Sequence, residues 1–255
     1  MFDKLGLQMW TLRDYMDTPE GVRMCFRRMK ESGYDLAQTA GCKIPYEDYA
    51  RIAREEGIAI CGTHLEFEDI VNDTEETIRK QKLLDSEFMG IGGFHCDSVE
   101  ATEDFIEKAN KAAERIYKEG MKFTYHNHWN EFRPFPNGRL PIEMLEEGLD
   151  PEKTSFCIDT YWAQFGGADV RYWLERLAGR VDIIHLKDMT PTGEWPGPQR
   201  ITEVGSGNLW WEGIIATAEK IGVKYFVVEQ DETELDPFDS IRISSEYLHK
   251  NFMTK

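Results

Sequence analysis

The chain holds six histidines, and five of them stand where a short apolar run ends: Thr63-His64-Leu65-Glu66, Phe94-His95-Cys96-Asp97, Tyr125-His126-Asn127-His128 and Ile184-His185-Leu186-Lys187-Asp188. Carboxylates close two more runs, Cys157-Ile158-Asp159-Thr160 and Tyr225-Phe226-Val227-Val228-Glu229, and Glu131 follows three residues after His128. One such residue alone is most simply a helix cap or a satisfied polar group. Glu229 resists that reading, because a carboxylate at the end of a buried strand is costly without a cation or donor. Aspartate, histidine and glutamate aimed at one point repel or shift one another unless a divalent ion lies between them. Mixed carboxylate and imidazole ligands without cysteine suit Mn²⁺, Mg²⁺, Co²⁺, Fe²⁺ or Zn²⁺. Such an ion polarises a carbonyl and stabilises the charge left when the neighbouring carbon is deprotonated, while a flanking carboxylate or histidine moves the proton.

These residues need elements that aim them together. Strand patterns fall at Leu5–Met9, Asp35–Thr39, Ile58–Thr63, Phe88–Phe94, Lys122–His126, Ser155–Ile158, Val181–Leu186 and Tyr225–Glu229. Helical patterns alternate with them at Pro19–Ser32, Tyr46–Glu56, Thr74–Ser86, Ala101–Glu119, Ile142–Glu147, Val170–Leu177, Trp210–Ile221 and Pro237–Lys250. Thr18-Pro19 and Asp236-Pro237 are entry signals, and Gly33, Gly57, Gly120 and Gly222 are exit signals. Strict alternation predicts an α/β fold with a parallel sheet, and eight units in one chain of this length predict a (β/α)₈ TIM barrel, a single domain over residues 1–255. An open doubly wound sheet is the rival, but Trp10-Thr11-Leu12-Arg13-Asp14 follows the first strand where a glycine-rich phosphate loop would stand. In a barrel the site forms at the C-terminal strand ends, where these histidines and carboxylates fall.

The 255 residues are 41% hydrophobic and 30% charged, ample for a core, and the net charge is −17. That field opposes nucleic acid and anionic membrane surfaces. No apolar run approaches the ~18 residues of a membrane span, and the first residues lack a secretory pattern, so a cytoplasmic protein is expected. Cys25, Cys42, Cys61, Cys96 and Cys157 are odd in number and scattered, which predicts reduced thiols.

Leu7-Gln8-Met9-Trp10-Thr11-Leu12-Arg13-Asp14, Tyr125-His126-Asn127-His128 with Glu131-Phe132, Cys157-Ile158-Asp159, His185-Leu186-Lys187-Asp188, Gly205-Ser206-Gly207 and Val228-Glu229 together resemble the xylose isomerase-like TIM barrels, the sugar phosphate isomerase/epimerase superfamily. Each piece is weak alone; the specificity lies in their order and strand-end placement, over nearly the whole chain. The resemblance implies a divalent metal ion, manganese first among the candidates, held by Asp159, His185, Glu229 and one further ligand. The family's usual first glutamate is replaced here by His126, with Glu131 five residues on. Glu131 is taken as that ligand, with His126 close to the metal or acting as a base, so that His126, Glu131 and Glu229 form the catalytic set. Trp10, His64, His95, His128, Trp162 and Lys187 are expected to bind substrate. Trp162 replaces the histidine that epimerases of the family carry there, and a mouth lined by Trp10, Trp129, Trp162 and Trp195 suits stacking on a pyranose ring. The implied activity is a metal-dependent isomerase or epimerase on a sugar or keto-sugar. A lyase or dehydratase on a keto-inositol or 3-keto-glycoside, and a non-catalytic sugar-binding or partner subunit, are the alternatives. A small-molecule sugar is thus the expected partner, with a homo-oligomer open and no nucleic acid or membrane.

Overall fold

A computed structural model describes residues 1–193 and 197–254; Trp195, expected at the mouth, lies outside them. The strands are β1 (Leu5–Gln8), β2 (Leu36–Ala40), β3 (Ala59–Leu65), β4 (Phe88–Ile91), β5 (Lys122–His126), β6 (Thr154–Asp159), β7 (Val181–Leu186), β8 (Asp188–Pro191), β9 (Gln199–Thr202) and β10 (Tyr225–Val228). All but β8 and β9 pair in parallel into one closed barrel, with β10 joining β7 to β1. Around it lie α1 (Pro19–Glu31), α2 (Tyr46–Glu55), α3 (Phe67–Asn72), α4 (Thr74–Leu83), α5 (Val99–Lys118), α6 (Pro141–Gly148), α7 (Thr160–Phe165), α8 (Val170–Arg176), α9 (Trp211–Ile221) and α10 (Pro237–Asn251). The expected barrel is the observed fold. Its entry signals act as capping chemistry requires: the Thr18 hydroxyl accepts from Gly21 N, and the Asp236 carboxylate from Phe238 N.

Two hydrophobic clusters divide the barrel wall. The larger joins the helices to the outer strand faces and takes Tyr125, Phe156, Ile158, Ile184, Leu186 and Val228. The smaller is built from strand residues, Leu36, Cys61, Phe88, Cys157, Ile183 and Val227, and fills the interior. Alternation along each strand then decides what reaches the axis. Cys157 and Asp159 share the inner face of β6, while Ile183, His185 and Lys187 share that of β7. Glu229 follows Val227 inward beyond β10.

Four local differences from the sequence expectations have physical causes. β4 ends at Ile91 rather than Phe94, because Gly92-Gly93 leaves the ladder, Gly93 at φ 155°. β6 runs one residue further than expected at each end. The short α3 and α7 occupy stretches expected to be irregular. Within the long loop after β7, β8 and β9 form an antiparallel hairpin outside the barrel. The five cysteines are free thiols. None of the described helices is long and apolar enough to cross a membrane.

Candidate metal centre

Four side chains from four strand ends converge at the top of the barrel. His126 ends β5, Asp159 ends β6, His185 stands on β7 and Glu229 follows β10; one ligand atom from each lies within 4.8 Å of the others, and all four residues are buried. Register helps set the spacing, since Asp159 pairs with His185 across β6 and β7. The His185 Nδ1 is 2.9 Å from Glu229 Oε2 and 3.7 Å from Asp159 Oδ2, and the His126 Nε2 is 3.5 Å from the same Asp159 oxygen. His126 Nε2, Asp159 Oδ2, His185 Nδ1 and Glu229 Oε2 are each buried and make no hydrogen bond, the two carboxylate oxygens meeting only ion-pair contacts from Lys187 and the imidazoles. Four ligand atoms facing one point with a single ammonium beside them are expensive unless a further cation completes them.

The remaining atoms of these residues are occupied in ways that aim the free ones. The His126 Nδ1–H donates to the Gly92 carbonyl at 2.8 Å, which leaves Nε2 as the free lone pair. His185 Nε2–H donates to Gln38 Oε1 at 2.5 Å, which fixes its tautomer and turns Nδ1 toward the carboxylates. Asp159 does two jobs: Oδ1 accepts from Trp162 N at 2.8 Å and caps α7, while Oδ2 enters the cluster.

Lys187, 1% exposed, completes the electrostatics. Its Nζ donates to Asp231 Oδ2 at 2.9 Å and lies in ion-pair contact 2.9 Å from Asp159 Oδ2 and 2.7 Å from Glu229 Oε2. Burial pushes Asp159 and Glu229 up, but the ammonium together with the His126 and His185 imidazoles outweighs it and holds both well below the usual carboxylate range. Burial lowers the His185 imidazole, but Cys157, Glu229 and Asp159 together raise it well above its usual range, so an ion would displace its proton. With both imidazoles neutral, as ligands must be, three carboxylates against one ammonium leave a charge of minus two, which a divalent ion cancels. The donor set and its charge therefore fit such an ion. His64, Cys157 and His185 also lie close together, but burial raises the Cys157 thiol, and both His64 nitrogens face the amides of Gln8 and Gln38 at 3.2 and 3.0 Å. Neither Cys157 nor His64 therefore offers a free ligand atom, and His185 turns its free nitrogen to the other cluster.

Glu131 stands apart from the four, contrary to its expected place as first ligand. Its Oε1 accepts from the Tyr125 hydroxyl at 2.6 Å and its Oε2 from His128 N at 2.9 Å. Tyr125 points outward from β5 into the helix-side core, so a carboxylate bound to it is outside the bore. Of the residues expected to meet substrate, Trp10, His64, His128 and Lys187 line a cavity of about 590 Å³ over the centre, together with His126 and Glu229. His95 does not; it is exposed beyond the early end of β4. Trp162 packs against the His128 ring at 5.3 Å, and Trp129 is exposed; neither lines the cavity. Sequence reasoning passed over Gln8, Gln38 and Asp231. An inward amide on a strand next to an inward histidine is the signal that could have found the glutamines.

The comparisons bear on the fold and the family. A sugar phosphate isomerase/epimerase from Parabacteroides distasonis superposes with a TM-score of 0.80 at 25% identity, over 99% of this chain and 96% of that one. A D-allulose 3-epimerase from Methylomonas sp. superposes at 0.72 over 97% of both chains, where 12% identity speaks for the fold alone. An inosose dehydratase from Geobacillus kaustophilus is 31% identical over 115 residues, 45% of this chain but 31% of that relative's length. The model of the xylose isomerase-like TIM barrel family matches residues 20–250. On that match, with the closed barrel beneath it, the chain belongs to the xylose isomerase-like TIM barrel family.

Proposed function

We propose that this protein is a divalent-metal-dependent isomerase or epimerase that shifts a proton next to the carbonyl of a sugar or keto-sugar. The supporting observation is the convergence of His126 Nε2, Asp159 Oδ2, His185 Nδ1 and Glu229 Oε2, buried and free of hydrogen bonds, beneath an open cavity. Two nitrogen and two oxygen donors suit Mn²⁺, with Co²⁺, Fe²⁺, Zn²⁺ and Mg²⁺ following. Bound there, the ion supplies Lewis acidity, polarising a substrate carbonyl and offsetting the charge that develops as the adjacent carbon loses its proton. Glu229 borders the cavity and is the carboxylate we assign to take that proton. His128 borders it too; burial pushes its ring down to about 3, so it stays neutral and can donate an N–H to a substrate oxygen. Glu131 acts behind it, fixing the His128 backbone from outside the bore.

The substrate suited to this cavity carries no phosphate. Among the lining residues the ammonium groups are Lys80 and Lys187, and Lys187 already meets three carboxylates. A phosphate would instead meet Glu66, Asp69, Glu229 and Asp231. A second reading, dehydration of a keto-inositol, has one observation in its favour, the match to inosose dehydratase. It begins with the same proton removal and continues with loss of a β-hydroxyl. The test is elemental analysis of purified protein, followed by incubation with ketoses and keto-inositol in D₂O. We expect a divalent ion near one per chain and deuterium entry beside the carbonyl that disappears in Glu229→Gln. Protein that neither carries nor takes up a divalent ion overturns the proposal, and loss of water without epimer formation selects the dehydratase.

A further inference from the structure

The cavity above the metal centre is both larger than one sugar ring and lopsided. A hexose has roughly a dozen non-hydrogen atoms, each displacing less than the ~30 Å³ share of a liquid water molecule, so it fills less than about 360 Å³. The cavity measures about 590 Å³. The excess space is not spread around the rim. Beyond the histidines and the ligands, the wall continues along the exits of β2 and β3: Cys42 after β2, Tyr46 at the start of α2, Glu66 after β3, Asp69 on α3 and Lys80 on α4.

This outer chamber has the makings of a ring site. Tyr46 is partly buried against the core and offers an aromatic wall, with the Lys80 ammonium 5.8 Å from its ring centre. Glu66 and Asp69 are exposed, and among the described contacts neither carboxylate has a hydrogen-bond or ion-pair partner. Beside the chamber, after the neighbouring β1, Trp10 is 46% exposed, steadied by the Arg13 guanidinium 4.6 Å from its ring. An aromatic face for the C–H side of a ring, with carboxylates to accept from its hydroxyls, is the chemistry that recognises a neutral polyol.

We propose that the chamber formed by Cys42, Tyr46, Glu66, Asp69 and Lys80 is a second ring subsite, and that the substrate is a two-ring saccharide or glycoside whose reacting ring lies over the metal centre. The proposal rests on the sugar reading given above and deepens it. The test is calorimetric titration of the Mn²⁺-loaded protein with D-fructose and with three ketose disaccharides that carry the second ring at different positions, turanose, lactulose and isomaltulose. At least one should bind about tenfold more tightly than D-fructose, and that ratio should fall toward one in Tyr46→Ala and in the double variant Glu66→Gln with Asp69→Asn. The second variant changes only exposed side chains, so it remains informative if Tyr46→Ala folds poorly. Disaccharides binding no better than D-fructose, or a preference that survives both variants, overturn the subsite. A protein that moves protons on a keto-sugar yet shows no such preference loses the subsite and keeps the activity. One that shows the preference and never exchanges a proton keeps the subsite and loses the activity.

Discussion

Glu229 and Glu131 are both hidden, at 4% and 0% exposure, yet their surroundings drive them in opposite directions. Glu229 follows an inward-facing position and meets Lys187 and His185, which hold its carboxylate well below the usual range despite burial. Glu131 lies on the helix side of β5, and burial raises it to about 7 against two hydrogen bonds that pull the other way. One carboxylate is held charged beside Lys187 and His185, with an oxygen that makes no hydrogen bond. The other is satisfied by Tyr125 and His128 and has no oxygen to spare. Burial alone therefore does not mark a ligand; an unfilled lone pair facing others like it does.

The contrast breaks most sharply on metal affinity. Glu229→Gln removes a ligand charge and leaves Lys187 short of one partner, so Mn²⁺ affinity should fall by about 100-fold or more. Glu131→Gln should leave it within about threefold, inside the ~10-fold lower edge of effects from groups behind the ligands. Titration of both variants with Mn²⁺ measures the difference directly. If Glu131→Gln proves as damaging as Glu229→Gln, the assignment of ligands from orphaned atoms is wrong.

The same pair separates on stability against pH. In the unfolded chain Glu131 gives up its proton near 4.5, and in the folded protein near 7. Below the lower value both states are protonated and the group costs nothing. As pH rises through about 7 the folded state must hold a buried anion, and stability from this group is lost, on the order of 3 kcal/mol. Glu131→Gln keeps an acceptor for His128 N and carries no charge. Its urea-denaturation free energy should match the parent near pH 4, below the unfolded value, and exceed it at pH 8. An equal gap at both values sinks the assignment of a buried carboxyl titrating near neutrality.

Much of this was legible in the sequence because strand alternation and strand-end placement are local signals. The apolar runs, their glycine exits and the inward parity of Asp159, His185 and Glu229 need no tertiary knowledge. Asp159 shows why a cap and a ligand were hard to tell apart: its two oxygens do one job each. Glu131 was misplaced because closeness in sequence to His126 says nothing about which side of β5 the loop returns to. The outward parity of Tyr125 decides that. His95 was misplaced because Gly92-Gly93 ends β4 early, and Trp129 and Trp162 because aromatic type does not reveal which side of a loop faces the cavity. Gln8 and Gln38 escaped notice because an amide is uncharged, and its value here lies only in which imidazole nitrogen it occupies.

Lys187 sharpens the comparison at the smallest scale. Its ammonium touches the same Asp159 and Glu229 oxygens that face the metal position, so it pairs with the ligands and repels the ion at once. Lys187→Met keeps most of the buried stem and removes the charge. The two ligand carboxylates, with Asp231 near them, would then have no competing cation, and Mn²⁺ should bind about tenfold more tightly. Without added metal those carboxylates lose their counter-charge, and the variant should melt earlier than the parent. Adding Mn²⁺ should therefore raise its melting temperature more than the parent's. The two effects come from one charge and must appear together. Weaker Mn²⁺ binding in Lys187→Met would instead make the ammonium a scaffold that holds the carboxylates in place, and it would remove Lys187 as a brake on metal affinity.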